Sequence, residues 1–129
     1  MTEATVHNKR PKHLSVWQIR MPFPSIVSIV HRITGVGLFM LLPFLIWLLD
    51  KSLHDQASFE EFRDIIANPL AKLVLLGLLW AYMHHFCAGI RYLFLDIGKG
   101  LDLPCARRSA SAVVIVSLAL TVVIGGLLW

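Results

Sequence analysis

The stretch SASAVVIVSLALTVVIGGLLW at residues 109–129 contains no charged residue in 21 positions. An apolar run of about 20 residues is the length of α-helix that crosses the hydrocarbon core of a bilayer. Two further stretches also lack Asp, Glu, Lys and Arg: ITGVGLFMLLPFLIWLL at 33–49 and LVLLGLLWAYMHHFCAGI at 73–90. Together the three stretches predict a small all-α membrane protein with three transmembrane helices.

The composition of the whole chain agrees with this prediction. Of the 129 residues, 57% are hydrophobic and 16% are charged, whereas a soluble domain has about 25% charged residues. So much apolar material also excludes an intrinsically disordered chain. The net charge of +4 does not indicate a nucleic-acid-binding face, because membrane-length apolar segments separate the basic residues.

The charge-free stretch at 33–49 is too short to be the whole first span. Its 17 residues reach about 26 Å as a helix, and the hydrocarbon core is about 30 Å thick. A helix that starts at Ser25, directly after Pro24, is long enough to span the core. We therefore predict an N-terminal tail at 1–24 and a single membrane domain at 25–129, with spans at about 25–49, 69–95 and 109–129.

The charges between the spans predict the orientation of the chain. The connection at 50–69 has a net charge of −3, whereas Arg107 and Arg108 precede the third span. Since cytoplasmic connections retain Lys and Arg, we expect the N-terminus on the cytoplasmic side of the membrane and the C-terminus on the opposite side. Within the outer connection, Ser58-Phe-Glu-Glu resembles a capping box and predicts a short helix.

Three polar residues lie near the start of the first predicted span. Ser28, His31 and Arg32 are three or four positions apart and share one face of a helix. A guanidinium at membrane depth costs about 3 kcal/mol or more unless it meets an anion or a polar cavity. Two interpretations are open: Arg32 extends to the lipid headgroups, or the three side chains form a polar site for an amphiphile such as a quinone or a haem propionate.

Two adjacent histidines interrupt the second span. On a helix His84 and His85 point about 100° apart, so they do not face one ligand. His85 shares its side of the helix with small residues, which leave room for a flat macrocycle or a neighbouring helix: Gly77, Ala81, Ala88 and Gly89. The spacing favours His85 over His84 as a haem iron ligand, and hydrogen bonding between helices is the alternative function.

The two cysteines and the glycines of the first and third spans predict no functional site. Cys87 lies in a span and Cys105 in a connection, which favours two free thiols over a disulfide. The glycines at 35, 37, 125 and 126 indicate close packing between helices.

The polar motifs together resemble those of a known family. They are Arg10-Pro11, Ser28-x-x-His31-Arg32-x-Thr34-Gly35, His85-x-x-x-Gly89-Ile90-Arg91-Tyr92 and Asp96-x-Gly98. In this order they resemble the cytochrome b membrane-anchor subunit of succinate dehydrogenase, and the resemblance covers essentially the whole chain. Lys12, Tyr92 and Leu95 depart from the residues that are usual in the family, and none of these departures removes a ligand.

The resemblance implies a complex of four subunits and assigns roles to residues of this chain. His85 would be an axial ligand of haem b, Ser28 and Arg32 would line the ubiquinone site, and His31 would lie near the haem propionates. The partners would be a flavoprotein, an iron–sulfur subunit and a second three-helix anchor that supplies the other haem ligand. The alternatives are an anchor of fumarate reductase and a purely structural anchor without haem.

Overall fold

The computed structural model describes residues 19–129, so the Arg10-Pro11 motif and most of the predicted tail lie outside the described residues. It consists of four helices: α1 (Phe23–Leu53), α2 (Gln56–Ala67), α3 (Pro69–Asp96) and α4 (Leu103–Leu128). Within 19–129 there is no β-strand. Three helices, α1, α3 and α4, are long and apolar enough to cross a membrane. The predicted all-α class with three transmembrane helices is therefore confirmed.

The long helices extend beyond the charge-free stretches. α1 begins at Phe23, with Pro24 in its first turn, where the missing N–H costs no hydrogen bond. α4 begins at Leu103 rather than near 109, and the Asp102 carboxylate accepts a hydrogen bond from the Cys105 backbone N–H at 3.2 Å. With 31, 28 and 26 residues, these helices are about 46, 42 and 39 Å long, more than the hydrocarbon core requires. The predicted spans at 25–49 and 69–95 lie within α1 and α3, and the one at 109–129 extends one residue beyond the end of α4; which parts of the helices cross the membrane stays a prediction.

The connection between α1 and α3 contains the short helix α2. Its N-cap is Asp55, whose side chain accepts a hydrogen bond from the Ser58 N–H at 2.7 Å. The short helix that the capping-box motif predicts is present, and the residue that caps it is Asp55. Lys51 at the end of α1 forms a salt bridge with Glu61 of α2, which ties the short helix to the long one.

α3 lies between the other two long helices. It runs antiparallel to both, and α1 and α4 also touch each other. The buried core at their junction is made of small and medium apolar residues: Val27, Ala88, Ala110 and Val113. Most large apolar side chains on the outer surfaces are exposed, as expected for a protein whose solvent is lipid rather than water.

The face of α4 toward α3 consists of small residues at steps of three and four. Its buried residues are Ala110, Val113, Ser117, Thr121 and Gly125. A Cβ atom at Gly125 would lie 3.0 Å from the Cδ1 of Leu76, so the two helices approach closely there. The connection to α3 is short, and its Gly98 and Gly100 both have a φ of 76°, a left-handed conformation that residues with a Cβ rarely adopt.

Candidate functional site

The polar cluster of α1 lies where this helix meets α3. Ser28 and His31 are half-buried, and Arg32 is exposed. Among the described residues Arg32 has no salt-bridge partner. The structure thus presents a hydroxyl, an imidazole and an unpaired guanidinium along one stretch of α1, the chemical groups that the sequence predicts for a polar site.

His31 and His85 are in direct contact. Their rings are stacked, with centroids 4.2 Å apart and planes at 15°. The Nδ1 atom of His85 lies 3.1 Å from the backbone carbonyl oxygen of His31. Because a carbonyl oxygen only accepts hydrogen bonds, this contact places the proton of a neutral His85 on Nδ1. The Nε2 atom then carries the lone pair that a metal requires.

Thr34 and Gly35 complete the surroundings of the His85 ring. The Thr34 hydroxyl donates to the His31 carbonyl oxygen at 2.9 Å, and its Oγ1 lies 3.5 Å from the Nδ1 of His85. A Cβ atom at Gly35 would lie 2.8 Å from the Cε1 of His85, closer than real Cβ contacts allow. The ring therefore occupies space that only a glycine leaves open. A Cβ at Gly37 would meet nothing within 4 Å, so of these two glycines only Gly35 serves this contact.

Tyr92 lies two helical turns after His85 on α3 and also contacts His31. Its ring lies against His31, with centroids 5.1 Å apart. The Tyr92 hydroxyl is buried and has no hydrogen-bond partner in the described part of the chain. The departure from the family pattern at this position therefore adds a phenol next to His31.

His84 lies on a different side of α3. It is 1% exposed and lies on the same stripe of α3 as two other buried residues, Ala88 and Arg91. Its ring contacts Trp80 at 5.5 Å between centroids. Within 19–129 neither His84 Nδ1 nor Trp80 Nε1 has a hydrogen-bond partner. The structure thus brings His85, not His84, to the polar cluster of α1.

Arg91 reaches α4 rather than the polar cluster. Its Nε donates to the Ser109 hydroxyl at 2.9 Å, and its Nη2 lies 3.5 Å from the Ala106 carbonyl oxygen.

The residues Thr34 and Gly35 appear in the sequence motif, yet their contact with His85 is not predictable from the motif itself. The Arg91–Ser109 pair has only one signal in the sequence, an arginine in an apolar helix that needs an acceptor.

Over 19–129, no group of three or more His, Cys, Asp or Glu side chains is arranged to hold a metal ion. Both Cys87 and Cys105 are free thiols, as predicted. A half-buried imidazole with its Nδ1 proton engaged fits a haem that takes one axial ligand from this chain and the other from a second protein.

Comparison with known proteins gives one consistent result. Residues 6–124 match the family model described as the succinate dehydrogenase/fumarate reductase transmembrane subunit. The chain is 35% identical to the succinate dehydrogenase cytochrome b556 subunit of Rickettsia felis, over 99% of this chain and 97% of the relative. It is 34% identical to the subunit of the same name from Coxiella burnetii, over 94% of this chain and 98% of the relative. The subunit from Paracoccus denitrificans is also 34% identical, over 85% of this chain and 83% of the relative.

Proposed function

This chain belongs to the family of succinate dehydrogenase/fumarate reductase transmembrane subunits, and we propose that it supplies one axial ligand, His85, to a haem b and helps to bind ubiquinone. Its relatives are succinate dehydrogenase cytochrome b subunits of nearly the same length, and its three apolar helices make it a multi-pass membrane anchor.

The observation that carries the haem assignment is the hydrogen bond between His85 Nδ1 and the His31 carbonyl oxygen, at 3.1 Å. A metal-ligating histidine generally donates its other ring N–H to a carbonyl or carboxylate, which holds the ring in one tautomer and orientation. His85 has this arrangement, and the space above Gly35 accommodates its ring. His84 lacks such a partner among the described residues.

When bound, the haem would supply a one-electron redox centre within the membrane. His85 would hold the iron from this chain, and a histidine of the second anchor subunit would provide the opposite ligand. His31, stacked on His85, would lie close to the haem propionates and donate a hydrogen bond to one of them. The role of this chain's residues is then to position the group and to tune its surroundings.

The quinone assignment rests on Ser28 and Arg32. These side chains are four positions apart on α1 and share a face. Arg32 is exposed and has no salt-bridge partner in the described part of the chain, so a polar ligand would offset the cost of a guanidinium near the membrane boundary. The two donors would orient a quinone carbonyl and stabilise the reduced, anionic forms of the ring. Electrons would arrive from the iron–sulfur subunit, which receives them from the flavoprotein.

We also propose that the N-terminus is cytoplasmic and the C-terminus periplasmic. Lys99, Arg107 and Arg108 lie around one end of α3 and α4, the end at which α1 begins. The acidic connection with α2 lies at the other end. This distribution supports a cytoplasmic position for Ser28 and Arg32, on the side where soluble subunits deliver electrons.

The haem assignment is tested by the reduced-minus-oxidised spectrum of the intact complex purified with His85→Ala or His84→Ala. We expect the b-type absorbance to be lost or strongly altered in the first variant and retained in the second. The reverse result would transfer the ligand to His84. A wild-type complex without haem would leave a purely structural anchor as the function.

The quinone assignment is tested with Ser28→Ala in the same complex. Quinone reduction is expected to fall several-fold while the haem spectrum stays intact. Ser111→Ala is the matched control, because that hydroxyl bonds only to the Arg107 carbonyl oxygen on the exposed side of α4. Equal loss of haem and quinone reduction in Ser28→Ala would contradict the separate roles. Comparing rates with succinate and with fumarate then distinguishes succinate dehydrogenase from fumarate reductase.

A further inference from the structure

A groove of about 460 Å³ runs between α3 and α4 on the side of α3 away from the His31–His85 pair. Its volume is in the range of small-molecule sites, about 300–1,000 Å³. Along most of its length it is lined by apolar side chains of the two helices: Ile90, Phe94, Leu95, Ala112, Val113 and Val116. Ile90 and Phe94 are 41% and 53% exposed, so the groove opens to the outer surface of the bundle.

One end of the groove is cationic. Lys99 lies at the end next to the α3–α4 connection, and Arg91, bonded to Ser109, lines the groove about two turns further along α3. No Asp or Glu is among the lining residues. The basic residues Arg107 and Arg108 lie nearby on α4. The groove therefore complements an anionic amphiphile. It has positive charge near the membrane boundary and an apolar channel that extends into the membrane.

The Arg91 guanidinium is the strongest indication of an anion. Arg91 is 8% exposed, and its hydrogen-bond partners in the described residues are neutral: the Ser109 hydroxyl and the Ala106 carbonyl oxygen. Asp102, a nearby acidic residue, accepts instead from the Cys105 N–H at the start of α4. A buried cation is normally paired with an anion, and this one has none within the part of the chain that the structure describes.

From these observations we propose that the groove binds an anionic phospholipid. Its phosphate contacts Lys99 and the Arg91–Ser109 pair, and one acyl chain lies along the apolar channel between α3 and α4. A lipid fits better than a protein segment, because a lipid carries its single anionic group at the end of a long apolar chain, in the order in which the groove presents its side chains. Anionic lipids are also attracted to the cluster of Lys and Arg at this membrane surface. This proposal is independent of the haem and quinone assignments.

The test uses the intact complex reconstituted in phosphatidylcholine vesicles that contain a small fraction of phosphatidylglycerol with a photoreactive diazirine in its acyl chain. After illumination, mass spectrometry identifies the labelled peptides. We expect labelling within 87–95 and 112–116 that exceeds, by several-fold, the labelling from a phosphatidylcholine probe of the same design. Equal labelling by the two probes would mean that the groove holds bulk lipid without recognising its charge, and the proposal would fail.

Two pairs of variants separate the groove from its surroundings. Lys99→Gln is expected to reduce labelling by phosphatidylglycerol several-fold, whereas Arg108→Gln removes a nearby charge outside the groove lining and should leave it unchanged. Ala112→Phe fills the channel and should abolish labelling, whereas Ala119→Phe, two turns along the same exposed face of α4, should not. Equal effects within either pair would overturn the proposal. The proposal would also be overturned if neither probe labels the groove in the wild-type complex, because a protein segment would then cover it.

Discussion

Two neighbouring histidines of α3, His85 and His84, have different surroundings. His85 contacts α1 through a stacked imidazole, a carbonyl oxygen and a hydroxyl. His84 is 1% exposed, and its Nδ1 has no hydrogen-bond partner in the described residues. The two residues are neighbours in sequence, so the contrast arises from the 100° rotation between them on the helix.

The difference teaches what makes a histidine suitable as a ligand. Burial alone does not, because His84 is the more buried of the two. A neighbour that engages one ring nitrogen and leaves the other available is the more informative feature. Each neighbouring helix also has one glycine at which α3 approaches closely. Gly35 of α1 lies against His85, and Gly125 of α4 lies against Leu76. Substitutions on the two sides should therefore have different consequences.

The largest effect is expected from Gly35→Ala. The new Cβ would lie 2.8 Å from the Cε1 of His85, so the ring must leave its position against the His31 carbonyl. Because the ring is the far end of a side chain that can rotate, the complex should still assemble but contain several-fold less haem. The measurement is the reduced-minus-oxidised absorbance divided by the amount of subunit. Gly37→Ala, with nothing within 4 Å, should leave this ratio unchanged. An unaltered ratio in both variants would remove the distinction between these glycines.

A smaller effect, of opposite sign, is expected from His84→Leu. A buried polar group without a partner costs about 1–3 kcal/mol, so replacing it by an apolar side chain should raise the thermal stability of the complex by up to this amount and leave the haem spectrum intact. Thermal denaturation of the complex measures the change. His54→Leu is the control, because His54 is exposed in the connection before α2. A marked loss of stability in His84→Leu would show that its imidazole has a partner in the complex, and the contrast with His85 would fail.

A still smaller difference is expected between Gly125→Ala and Gly126→Ala. Ala is favoured over Gly in a helix by up to about 1 kcal/mol. At Gly126 a Cβ meets nothing within 4 Å, but at Gly125 it would lie 3.0 Å from Leu76 Cδ1. Gly126→Ala should therefore raise the denaturation temperature slightly, and the gain should be cancelled in Gly125→Ala. Equal gains would mean that the α3–α4 interface adapts more easily than its close packing indicates.

The smallest effect is expected at Asp55, far from both sides of α3. The Ser58 N–H donates to its carboxylate, which lowers the pKa of Asp55. The charged cap therefore stabilises α2 at neutral pH, and this contribution is lost as the pH falls through the lowered value. In Asp55→Ala, hydrogen exchange in α2 should be faster than in the wild type at pH 7, and the difference should shrink in acid. Asp64→Ala, near the other end of α2, should not accelerate exchange. Acceleration by both variants would contradict a specific role for the cap.

Some of these features are predictable from the sequence and others are not. The absence of charge in three long stretches is a local signal, and it predicts the three membrane helices directly. The contact of His31 with His85 joins residues 54 positions apart, and the register between helices that produces it depends on packing along their whole length. For the same reason Gly35 and Gly37 are equivalent in the sequence but not in the structure. The presence of α2 is predictable from its capping-box motif, but Asp55 and Ser58 are both good N-caps, and the sequence does not decide which of them takes the role.

The short connection between α3 and α4 makes these two helices a closely joined pair. With glycines at 98 and 100 in left-handed conformation, they form a tight antiparallel hairpin, joined near its closed end by the bond from Arg91 to Ser109. Both acceptors of the Arg91 guanidinium, the Ser109 hydroxyl and the Ala106 carbonyl oxygen, belong to this hairpin. The hairpin therefore supplies hydrogen-bond acceptors for its own buried cation without a contribution from α1.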